Sequence, residues 1–81
     1  MKVRVQLFAS YREAVGKEWI EQELPAGARV QDLLESVGAC HGLSLSPGRT
    51  LVARNLKYVG AETPLEEGDE LVLLPPLSGG A

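Results

Sequence analysis

Val3, Val5 and Leu7 alternate with Lys2, Arg4 and Gln6, and this two-residue period predicts a strand over 2–8 with one face buried. Phe8 lies out of phase with that face, so it is either covered by another element or part of an exposed apolar patch. Ser10 to Val15 reads as a short helix or turn, with Ser10 as its cap, Glu13 three residues on, and Gly16 closing it. A second strand is expected between Lys17 and Leu24. There Ile20, Gln22 and Leu24 share one face, Trp19 takes the other, and Pro25-Ala26-Gly27 ends the run. Val30, Leu33, Leu34 and Val37 then fall at i, i+3, i+4 and i+7. This is the stripe of a helix packed on a sheet, with Gln31, Asp32, Glu35 and Ser36 toward water and an end near Gly38 or Gly42.

Thr50 to Arg54 reads as a third strand that breaks at Asn55, Lys57 to Val59 as a short fourth, and Gly60 to Pro64 as a turn. Glu67-Gly68-Asp69 makes a tight turn into a last strand, Glu70 to Leu74. That strand is apolar on both faces and so belongs in the middle of a sheet. If the first and last strands form a parallel central pair, the helix is the right-handed crossover that covers one face. The expected class is α+β, a β-grasp of the ubiquitin-like kind, with a mixed sheet of four to five strands under one main helix. Residues 1–77 form the domain and 78–81 a flexible C-terminal tail.

Composition narrows the function. A chain of 81 residues with 44% hydrophobic and 23% charged residues has room for one globular core. A net charge of −3, with the basic residues scattered, supplies no attraction for nucleic acid or anionic lipid. No apolar run is long enough to span a membrane, and no signal-peptide core opens the chain, so the cytoplasm is the expected location. Cys40 and His41 are the sole residues of their types. As helix neighbours they diverge by about 100°, and we read both as structural. Arg12 and Glu13 are read as solvated, and Glu66, Glu67, Asp69 and Glu70 as charges facing water around a turn. Arg54 and Lys57 are read as surface charges.

The chemistry is expected at the C-terminal end, "LLPPLSGGA". Pro75 and Pro76 stiffen the exit from the sheet and cannot extend its ladder. Ser78, Gly79 and Gly80 can follow narrow extended paths closed to bulkier residues. A carboxyl group on such a thread suits activation by another protein, with ATP consumed to form an acyl-adenylate. Leu77 is read as an anchor for a partner. Leu74 is balanced between core and interface, and Phe8 between partner contact and cover by another element.

Four stretches carry a family resemblance: "LFASYREAVG" at 7–16, "VQDLLESV" at 30–37, "LVARN" at 51–55 and "PLEEGDELVLLPPLSGG" at 64–80. Nearly end to end the chain resembles the small subunit of molybdopterin synthase, the MoaD group of ubiquitin-like sulfur carriers. The resemblance implies that Gly80 is the reacting group, adenylated by an E1-like enzyme and converted to a thiocarboxylate, with Gly79 as its approach. It also implies insertion of the tail into a larger synthase subunit that supplies the catalytic lysine. Sulfur would pass to a cyclic pyranopterin precursor, making the dithiolene that binds molybdenum. The carrier itself binds no cofactor; ATP is used by the activating enzyme. Ala81 departs from a pattern that ends at the second glycine. Trimming by a processing protease, tolerance by the activating enzyme and loss of carrier chemistry are the readings it leaves open. Sulfur carriage for thiamin or tRNA thiolation, and a β-grasp interaction module without tail chemistry, are the alternative functions.

Overall fold

In the computed structural model, which describes residues 1–46 and 48–76, the elements follow in the order β1 (Lys2–Leu7), α1 (Ala9–Val15), β2 (Trp19–Glu23), α2 (Val30–His41), β3 (Leu51–Arg54), β4 (Lys57–Tyr58) and β5 (Glu70–Leu74). The strands form one five-stranded sheet in the order β2-β1-β5-β3-β4. β1 and β5 are its parallel centre, with Val5 opposite Leu71 and Leu7 opposite Leu73. The β1–β2, β3–β5 and β3–β4 pairs are antiparallel. The expected topology is therefore the one observed.

Because residues paired across strands share a face, the register sorts the side chains. Val3, Val5, Leu7, Ile20, Val52, Leu71 and Leu73 point to one side, where they form a single cluster with Val30, Leu33, Leu34 and Val37 of α2. All four residues of the α2 stripe are buried. The helix starts with the Arg29 amide donating to Asp32 Oδ2 at 2.8 Å and ends at Gly42, whose φ of 68° is left-handed. Gly38 lies inside the helix, where a Cβ would come within 2.8 Å of the Leu43 carbonyl oxygen.

Several local expectations need correction. The first strand stops at Leu7, and the N-cap of α1 is Phe8, with no side-chain capping bond from Ser10. Phe8 stays extended, so the chain turns at Ala9, whose φ is 51°. The last strand is fully buried on one face only, since Val72 and Leu74 are half-buried. Ser36 does not face water freely: its hydroxyl accepts a bond from Nε2 of buried Gln22, and Asp32 and Ser36 are both partly covered. Nor is Asp69 simply solvated, because its carboxylate accepts from the Glu66 amide at 2.8 Å and pairs with Arg54.

Arg54 fastens the approach to β5. Its Nη1 donates to the Pro64 carbonyl at 2.8 Å and to Asp69 Oδ2 at 3.3 Å, with the two side chains only 25% and 18% exposed. Beyond it, Asn55 and Leu56 close the β3–β4 hairpin with φ values of 53° and 67°. Positive φ at both central positions defines a turn that normally takes glycine second. A leucine there costs roughly 1–2 kcal/mol of backbone strain. The Arg54 pair is tested by Arg54→Ala, which lowers the unfolding free energy by about 1–2 kcal/mol in urea titration. A change near zero would show that solvent replaces both bonds.

Candidate functional site

Among the described residues, no helix covers the second face of the sheet. Its side chains come from alternate residues of the same strands: Arg4 and Gln6, Trp19, Val72 and Leu74, Leu51 and Ala53, and Tyr58. Phe8, with φ −123° and ψ 155°, carries the alternation of β1 one residue past the strand, so it belongs to this face too. It is therefore the exposed alternative, at 38% exposure, that the structure supports.

The face is divided. Toward β2 it is polar: Arg4 Nη1 pairs with Glu70 Oε2 at 2.8 Å while its guanidinium lies 4.4 Å from the centre of the Trp19 ring, and Gln6 Nε2 donates to Glu18 Oε2 at 2.9 Å. Half-exposed pairs of this kind contribute at most about 1 kcal/mol each to stability. Their effect is to cover Trp19 and set a charged margin. Toward β3 and β4 the face is apolar, with Leu51 directly opposite Leu74, Ala53 opposite both Val72 and Tyr58, and Tyr58 itself 70% exposed. No pocket forms among the described residues, so what the chain offers there is a surface rather than a cleft.

Chain exit occurs at the apolar end. β5 is central, so the backbone leaves the sheet between the Phe8 end of β1 and the Leu51 end of β3. Pro75 is half-buried and Pro76 exposed. Lacking N–H groups, neither can continue the ladder. The hydroxyl groups of Tyr11 on α1 and buried Thr50 are hydrogen-bonded at 3.0 Å, which ties α1 to the residue preceding β3 beside the exit. Thus Phe8, Leu74, Pro75 and Pro76 are brought to one end of the sheet. Leu77, Ser78, Gly79 and Gly80 lie outside the described residues, as does Ala81.

Sequence reasoning passed over Leu51 and Tyr58. The signal for Leu51 was present, since it alternates with buried Val52; Tyr58 sits in a strand too short to show a period. Cys40 and His41 stand exposed at the end of α2, and Gln22 Nε2 reaches Cys40 Sγ at 3.6 Å. Among the described residues no cluster of His, Cys, Asp and Glu is placed to hold a metal ion, and no helix is long and apolar enough to cross a membrane.

A mixed sheet with a parallel central pair of first and last strands, crossed on one face by a helix, defines a ubiquitin-like β-grasp protein. Within that class the chain belongs to the ThiS family, whose model matches residues 5–80. It is 40% identical over 83 residues to the molybdopterin synthase sulfur carrier subunit of Chlamydomonas reinhardtii, across 99% of this chain and 100% of the relative. A putative molybdopterin converting factor, subunit 1, from Pyrococcus furiosus superposes with a TM-score of 0.80 at 32% identity, over 95% of this chain and 99% of that one. The chain also matches a member of the complex of subunits 1 and 2 of the molybdopterin-converting factor from Helicobacter pylori. That match has a TM-score of 0.66 at 27% identity and covers 99% of this chain and 100% of the other.

The brace at the exit yields a prediction. Tyr11→Phe leaves the buried Thr50 hydroxyl without its partner and lowers stability by about 1 kcal/mol. Urea unfolding of the variant beside wild type checks it, and Thr50→Val in the Tyr11→Phe background should recover much of the loss.

Proposed function

We propose that this protein is the sulfur-carrier subunit of a molybdopterin synthase, carrying sulfur as a thiocarboxylate on Gly80. The observation that carries the reading is positional. The central strand β5 runs straight into Pro75-Pro76 and, three residues on, the Gly79-Gly80 pair, and the exit is ringed by exposed apolar side chains. The naming of relatives that align over nearly the whole chain supports the same reading.

In this scheme Ala81 is first removed by a processing protease. The Gly80 carboxylate then attacks the α-phosphorus of ATP on an E1-like adenylating enzyme, releasing pyrophosphate. Sulfide-level sulfur then attacks the acyl carbon, the C–O bond to AMP breaks, and the thiocarboxylate is left on Gly80. The absence of a side chain at Gly80 keeps its carbonyl open to attack, and Gly79 allows the tail to lie in a narrow channel. The loaded tail enters the larger subunit, where the thiocarboxylate sulfur bonds to a carbon of the pyranopterin precursor and water cleaves the acyl–sulfur bond, returning the Gly80 carboxylate. The carrier's folded part acts as the handle: Phe8, Leu74, Pro75, Pro76 and Leu77 form the contact around the exit, and Ser78 begins the thread. The complex described for the Helicobacter pylori neighbour supports a two-subunit assembly of this kind. The cytoplasm is the compartment in which these partners act.

Two experiments test the scheme. Incubation of the trimmed chain with the adenylating enzyme, ATP and a sulfur donor should give, by intact mass, a species with one sulfur in place of one oxygen. Gly80→Val should abolish that species while leaving the unfolding curve unchanged. Normal loading of Gly80→Val would remove the tail from the chemistry. Phe8→Asp addresses docking. Phe8 is the N-cap of α1 and makes no side-chain cap, whereas aspartate is among the best residues there, so the fold is retained. A charge in the apolar ring should nevertheless weaken binding to the larger subunit by about 1.5–3 kcal/mol, the value of one buried large side chain. Unchanged affinity in calorimetric titration would take Phe8 out of the contact.

A further inference from the structure

Leu56 combines two features that oppose stability. It is 100% exposed, and it holds a left-handed backbone conformation, φ 67°, at the second turn position where glycine is unstrained. Strain of this sort at a fully solvated apolar residue has no structural return among the described residues, none of which covers Leu56.

The size of the contact decides where such a residue falls. A stable protein–protein interface covers about 800 Å² on each partner. The surface of this chain is 5057 Å², so a partner of ordinary size would occupy about a sixth of it. The inserted tail and the side chains around the exit supply part of that area, and the open face of the sheet, which is contiguous with the exit, is where the footprint extends. In the β2 direction it meets the Arg4–Glu70 pair and the Gln6–Glu18 bond, polar groups already satisfied within the chain. In the β4 direction it meets Ala53, Tyr58 and then the hairpin that ends in Leu56. The four residues of β3 span about 13 Å, well within one interface of that size.

We propose that Leu56 is a second anchor of this carrier, inserting into an apolar pocket of the larger subunit that takes the tail, so that the partner grips the sheet at both ends of β3. The inference rests on the reading above that such a subunit is the partner. Two contacts at opposite ends of one strand fix the orientation of the domain, which a contact at one end alone cannot do.

The test uses the chain ending at Gly80, as it stands after removal of Ala81, and the larger subunit of the same organism, by isothermal titration calorimetry together with thermal unfolding. Leu56→Gly and Leu56→Asn both relieve or tolerate the left-handed turn, so each should unfold at the wild-type temperature or above it. Each should also bind the larger subunit at least about tenfold more weakly, about 1.4 kcal/mol. A fold that is no less stable yet binds less well cannot be explained by a structural role. Binding within about twofold of wild type by both variants would overturn the anchor while leaving the carrier reading intact. If the wild-type chain itself shows no binding, the carrier reading and the anchor both fall.

Discussion

The parallel pairing of β1 with β5 is the constraint on which the rest depends. Val5, Leu7, Leu71 and Leu73 meet there with no exposure to solvent. Parallel neighbours cannot be joined by a tight turn, so the chain between them must cross over the sheet, and α2 is that crossing. Pairing the last strand with the first also puts β5 in the centre of the sheet, held on its other side by β3. The backbone that follows Leu74 therefore leaves from a rigid point rather than from a fraying edge. Whatever follows Pro76 in the chain therefore starts from a defined origin.

The two faces of the sheet then take different roles for a simple reason. One helix can cover one face. The side under α2 is dry and continuous, whereas the other keeps a mixture of ion pairs near β2 and apolar side chains near the exit and β4. The polar half is self-satisfied: Arg4 is shared between the Glu70 carboxylate and the Trp19 ring. Among the described residues the apolar half has no such internal partners. An exposed apolar area on so small a domain is a mark of association, and it is contiguous with the point where the chain leaves the sheet.

How much of this was legible beforehand depended on the range of the interaction. The α2 stripe and the alternation in β1 are local periodicities, and Val30, Leu33, Leu34 and Val37 are buried as their spacing requires. The apolar run of β5 pointed correctly to the middle of the sheet but overstated its burial, because composition cannot distinguish a covered face from one left open. Ser10 carried the right chemistry for a cap. It lost the position to Phe8 because the extended backbone persists one residue past the β1 ladder and the reversal is made at Ala9. The Arg54–Asp69 pair and the Gln22–Ser36 bond join residues far apart in the chain, so no window of sequence could reveal them. At the tail the reading rests on residue type alone, since glycine and proline act there through what they lack.

The left-handed non-glycine residues give the fold a further meaning. Among the described residues these are Ala9, Asn55 and Leu56, and they sit in the connections at opposite ends of the open face. Ala9 immediately follows Phe8, and Leu56 ends the hairpin that carries Tyr58, so both connections lie beside exposed large apolar side chains. A glycine at either position would be easier on the backbone, and a polar residue at Phe8 or Leu56 would be easier on solvation. Neither substitution would disturb the cluster beneath α2, whose members are all drawn from the covered face. Core and open face are thus separable in this molecule: the helix-covered side holds the buried cluster, and the strained connections lie outside it.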